Sequence, residues 1–75
     1  MWVYHSPIGS IFIKQLSDGT YGMEYNGTIW ESAKTPQIEA DNVFCHVTGC
    51  SEWDALDGTI LDTPTDLSDW EYIEG

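Results

Sequence analysis

Seventy-five residues allow a single domain, taken as residues 1–75. Thirteen acidic side chains against two basic ones give a formal charge of -11, and 41% of the residues are hydrophobic. That apolar content excludes a disordered acidic tail, and two cations exclude a phosphate-binding surface and with it direct nucleic-acid binding.

In chain order, Trp2-Val3-Tyr4 reads as a short strand, set off by Pro7 and Gly9. A three-stranded antiparallel meander follows over Ser10–Leu16, Thr20–Tyr25 and Thr28–Ser32. Its turns are Asp18-Gly19 and Asn26-Gly27, pairs that accept positive φ in tight hairpins. Two-residue loops at both turns pair Leu16 with Tyr21, Lys14 with Met23, Phe12 with Tyr25, Met23 with Trp30 and Glu24 with Ile29. The expected core face is then Phe12, Lys14, Leu16, Tyr21, Met23, Tyr25 and Trp30. The opposite face carries an Ile11/Ile13/Ile29 patch.

Thr35 and Pro36 open a helix, one as cap and the other at the first helical position. Ala40, Val43, Phe44 and Val47 form its expected inward stripe, and Thr48-Gly49 its end. Ser51-Glu52-Trp53-Asp54 reads as a second cap before a short helical turn that closes near Asp57-Gly58. Asp62–Ser68 contains Pro64 and reads as a loop. Asp69–Glu74 reads either as a strand that pairs with a sheet edge and brings the chain ends together, or as a helical turn. The expected fold is α+β: a three-stranded meander, four or five strands with the termini, packed against one main helix.

Several chemistries need weighing. Cys45 and Cys50 are spaced C-x4-C, with His5 and His46 as the other soft ligands. Zinc sites favour C-x2-C pairs with two further ligands, so no metal is expected. The chain shows no basic-then-apolar leader, so a cytoplasmic location with reduced thiols is expected. No run of eighteen apolar residues is present, so no membrane partner is expected. A calcium loop aligned on Gly58 puts Trp53, Ala55 and Asp57 at its first three ligand positions, and two of these fail. Asn26-Gly27-Thr28 matches a glycosylation sequon, which the hairpin turn explains as well. No cofactor fingerprint appears, and nothing arranges a nucleophile beside a base, so an enzyme is not expected.

The charge is unevenly placed. After Ile38 come ten acids and no base: Glu39, Asp41, Glu52, Asp54, Asp57, Asp62, Asp66, Asp69, Glu71 and Glu74. Trp53, Leu56, Ile60, Leu67, Trp70 and Tyr72 are interleaved with them, which argues for a folded half with its acids outward. Solubility alone would account for many acids. Ordinary surfaces mix both signs, however, and the absence of any base after Lys34 favours a partner that supplies the positive charge.

The first expectation is therefore a non-enzymatic acidic binding protein. It would be a DNA-mimic inhibitor of the anti-CRISPR or anti-restriction type, covering the basic surface of a nucleic-acid-binding protein. The analogy with phage-encoded inhibitors rests on size and charge. Its contact set is Glu52, Trp53, Asp54, Asp57, Asp62, Asp66, Asp69, Trp70, Glu71 and Glu74, with Tyr72 as a further aromatic anchor. The alternative is a small docking subunit or antitoxin-like adaptor that binds a partner, or itself as a homodimer, through its sheet.

Overall fold

The computed structural model describes residues 1–60 and 63–74. It is an α+β fold with strands β1 (Trp2–Ser6), β2 (Gly9–Gln15), β3 (Tyr21–Tyr25), β4 (Thr28–Ala33) and β5 (Glu71–Tyr72). Helix α1 (Pro36–Cys45) and the short helix α2 (Ser51–Asp54) follow β4, and a 3-10 turn at Leu67–Asp69 precedes β5. The strands form one antiparallel sheet in the order β4-β3-β2-β1-β5. Both termini thus join the meander. Met1 and Ile73 exchange two hydrogen bonds, from the terminal ammonium to Ile73 O at 2.6 Å and from Ile73 N to Met1 O at 2.7 Å.

The β2–β3 turn is one residue longer than a two-residue Asp18-Gly19 loop. Leu16 N donates to Thr20 O at 2.7 Å and Gly19 N to Leu16 O at 3.0 Å, with Gly19 at φ +87°. This is a three-residue loop, a turn closed by a left-handed glycine, which Asp-Gly serves as well as a type I′ turn. Asp18 accepts from Thr20 N and Oγ1, and these bonds hold its carboxyl below its ordinary value.

The extra residue moves every partner on β2 by one and exchanges its faces. Gln15 lies opposite Tyr21, Ile13 opposite Met23 and Ile11 opposite Tyr25. Ile11 and Ile13 are fully buried and form the core with Met23 and Tyr25. Phe12, Lys14 and Leu16 belong to the other face, where Lys14 Nζ binds Glu24 Oε2 at 2.8 Å. The expected faces are right for Tyr21, Met23 and Tyr25 and reversed for β2. Of the Ile11/Ile13/Ile29 patch, only Ile29 remains exposed.

The β3–β4 turn is two-residue, with Asn26 at φ 54° and Gly27 at φ 80°. Tyr25 faces Thr28 and Glu24 faces Ile29, as the turn predicts. A bulge then inserts Trp30, so Glu31 rather than Trp30 stands opposite Met23. Trp30 is 38% exposed and donates its Nε1–H to Tyr25 O at 3.1 Å. It is not a core residue.

Thr35 caps α1, accepting from Ile38 N at 3.2 Å, and Pro36 opens it. The helix ends earlier than Thr48-Gly49. His46 takes the left-handed conformation at φ 56°, and its N–H and that of Val47 return to the last turn at Val43 O and Asn42 O. Ala40 and Val43 face the core as expected. Phe44 and Val47 do not, at 44% and 58% exposed. Glu39, fully buried, takes their place.

Candidate interaction surface

The C-terminal half is built around Tyr4, whose ring meets two tryptophans from the helix side of the sheet. Trp53 approaches edge-on at 5.9 Å and Trp70 at 5.6 Å. Trp53 is fully buried and Trp70 is 5% exposed. Both were expected as contact anchors, and both instead hold the acidic half onto the sheet. A large aromatic in so small a domain contributes more to the core than any smaller side chain could. Tyr72 on β5 is 60% exposed and is the anchor that does reach the surface.

The acids sort into two kinds. Asp54 is structural. It accepts from Thr48 N at 3.0 Å, Thr48 Oγ1 at 2.8 Å and Gly49 N at 2.9 Å, tying down the loop between α1 and α2. Glu52, Asp57, Asp66, Asp69, Glu71 and Glu74 are exposed. Their local contacts are light. Glu52 accepts from the Tyr25 hydroxyl at 3.3 Å. Burial raises that hydroxyl above its ordinary value, and the Glu52 carboxylate adds to the effect. Asp66 caps the 3-10 turn through Ser68 N and Oγ, which holds its carboxyl below the usual range. Asp57 lies 3.8 Å from His46 Nδ1, and Glu71 lies 3.6 Å from His5 Nε2. Asp62 lies outside the described residues.

Among the described residues, none of these acids pairs with a lysine; Lys14 is engaged with Glu24. The exposed carboxylates therefore keep their field for whatever approaches. Their anchor points differ: Glu52 lies in α2 and Asp57 just after it, Asp66 and Asp69 bracket the 3-10 turn, and Glu71 and Glu74 lie on or beside β5.

Glu74 also lines an open groove of about 900 Å³ with Trp2, Tyr21, Tyr72, Lys14 and Glu24. Trp2 stands edge-on to Tyr21 at 6.2 Å and to Tyr72 at 5.2 Å. This aromatic set depends on β5 pairing Tyr72 with Trp2. The strand reading of Asp69–Glu74 expected an edge pairing that brings the chain ends together; the register of Tyr72 on Trp2 is what the structure adds.

Cys45 is exposed, Cys50 is buried, and both thiols are free. Among the described residues, no three His, Cys, Asp or Glu side chains converge as a metal site, and no helix is long and apolar enough to cross a membrane. Comparison with protein-family models, curated proteins and solved structures returns no match.

Proposed function

We propose that this chain is a non-enzymatic acidic binding protein of the DNA-mimic inhibitor type, acting in the cytoplasm on the basic surface of a nucleic-acid-binding protein. The observation that supports this reading is the set of exposed carboxylates carried on a folded framework and, among the described residues, paired with no lysine or arginine. Duplex DNA presents about one negative charge per 1.7 Å of its axis, and a groove evolved for it attracts any surface with a similar field. The framework keeps the carboxylates in place, so little entropy is lost when they meet Lys or Arg. Tyr72 and Trp2 add aromatic faces on which a cationic side chain can settle.

The test is retention from host lysate at low salt, elution in salt steps, and competition with duplex DNA. A DNA-binding protein released at moderate salt and displaced by DNA supports mimicry. A partner that stays bound at high salt overturns it, since exposed charges are screened beyond about 8 Å at physiological ionic strength.

A second reading has its own observation. Ile29 and Trp30, each 38% exposed, sit on edge strand β4, where a docking subunit or antitoxin-like adaptor would bind through its sheet. That interface would be insensitive to salt.

A further inference from the structure

Helix α1 buries a carboxyl and exposes its larger apolar side chains. Glu39, Ala40 and Val43 are fully buried, whereas Ile38 and Phe44 are each 44% exposed. Neither carboxyl oxygen of Glu39 receives a hydrogen bond. Across from it stands Glu31, which the Trp30 bulge has brought to the helix side of β4. Glu31 Oε1 accepts from Asn42 Nδ2 at 3.0 Å, which fixes it beneath the helix.

Two carboxylates side by side in an apolar interior cannot both be ionised. A single proton on Glu39 resolves the conflict. Burial first, and then the neighbouring Glu31 carboxylate, push the Glu39 carboxyl up to about 9. Among the described residues, Glu31 is the charged group whose field acts on it. Strands β2 and β3 contribute Ile11, Ile13 and Met23 to the core beneath the helix. Asp66 and Asp69, beside the 3-10 turn that also packs on α1, are exposed.

We propose that the Glu31–Glu39 pair is a proton-operated latch on α1. With the proton held on Glu39, the helix stays closed on the sheet as seen here. When that proton leaves to solvent, the ionised Glu39 is expelled from the interior. The helix then rolls so that Phe44, on its last turn, fills the space. Successive helical residues are about 100° apart, so a roll of about 50° exchanges Glu39 for the Phe44 side. The exposed Phe44 and the buried acid are thus two ends of one rotation.

The molecule carries its own reporter. Trp53 Nε1 donates to Val43 O at 2.9 Å, in the last turn of α1, so a roll breaks or bends that bond. The experiment is carboxyl-detected NMR on the protein labelled at glutamate, titrated from pH 4 to 10. Amide hydrogen exchange of α1 and tryptophan emission are followed over the same range. The latch requires Glu39 to titrate several pH units above an ordinary glutamate. The α1 amides and the emission must change with it, and E39Q must lose both changes. E31Q must lower the midpoint, because it removes the neighbouring charge. Titration of Glu39 near its ordinary value overturns the proposal. So does a high midpoint with α1 unmoved, which would leave only a buried acid. The wild-type titration decides the matter even if a variant fails to fold.

Discussion

Trp53 lies flat on His46, with ring centroids 4.3 Å apart and planes 14° from parallel. His46 is the left-handed residue that ends α1, and Trp53 is the central residue of α2, so the stack joins the two helices. It follows that Trp53→Ala should unfold the protein at 25 °C. Truncating a buried tryptophan costs about 3–5 kcal/mol, and a domain of this size has little more than that to lose. Trp30→Ala should behave differently. It gives up partial burial and one hydrogen bond, worth about 0.5–1.5 kcal/mol net. Urea denaturation of the two variants side by side checks both values.

Asp54 offers a contrast within the acidic set. Asp54→Ala removes the acceptor for three donors at Thr48 and Gly49. Leaving such donors unmet should cost about 2–3 kcal/mol. Asp57→Ala, at an exposed site, should stay within about 0.5 kcal/mol of the parent. Equal urea midpoints for the two would show that the loop does not depend on Asp54.

Stability should fall as pH rises above mild acid. The Glu39 carboxyl is raised from 4.5 to about 9 on folding, so the folded state holds a proton that the unfolded chain releases. Its contribution is complete below 4.5 and is lost as pH climbs through about 9. Mutual repulsion of the other acids acts in the same direction. Asp18 and Asp66 work oppositely: their carboxyls are lowered by hydrogen bonds, so their contributions are present above 3.8 and lost as pH falls further. The urea midpoint should therefore be higher at pH 5 than at pH 8.5, and Glu39→Gln should flatten the difference. A midpoint that rises between those values contradicts the burial of an acid.

Reversing Glu52, Asp57 and Asp69 to Lys tests the surface and gives up one core contact, the 3.3 Å bond that Glu52 accepts from the Tyr25 hydroxyl. All three are exposed, and the change lowers the self-repulsion of a chain at -11. The variant should fold as well as the parent or better. Under the mimic reading its partner affinity should drop at least tenfold, most visibly at low salt. Unchanged binding by calorimetry, at matched folding, would remove these acids from the contact surface.

The hairpins, the capped helix and the outward acids were all legible in the residues. Asn26-Gly27 has one short-loop solution here, and β4 follows it as far as Ile29. Asp18-Gly19 has two, and they differ by one residue, which is enough to exchange Phe12 with Ile13 at the core. Nothing local chooses between them; the decision rests with the helix, which packs on Ile11 and Ile13. Helix periodicity identified Ala40 and Val43 but not Glu39, because patterning assigns an acid outward unless its partner is known. That partner, Glu31, faces inward only because of a bulge. Trp53 and Trp70 were recognised as folded-half residues yet assigned to the surface, since aromatic content alone does not separate a core anchor from a contact anchor.

The bond from Ile73 N to Met1 O joins the two extremes of the described chain. A strand of two residues must recover the entropy of closing a loop of nearly the full length, which grows as about (3/2)RT ln n. On that ground β5 is the last strand to dock during folding and the first to fray. When it lifts, the outer edge of β1 loses its pairing at Trp2 and Val3, and Tyr4 loses the cover of Trp70. The acids on and around β5, Asp69, Glu71 and Glu74, then act as gatekeepers: their charge repels a second chain from the border that β5 leaves open.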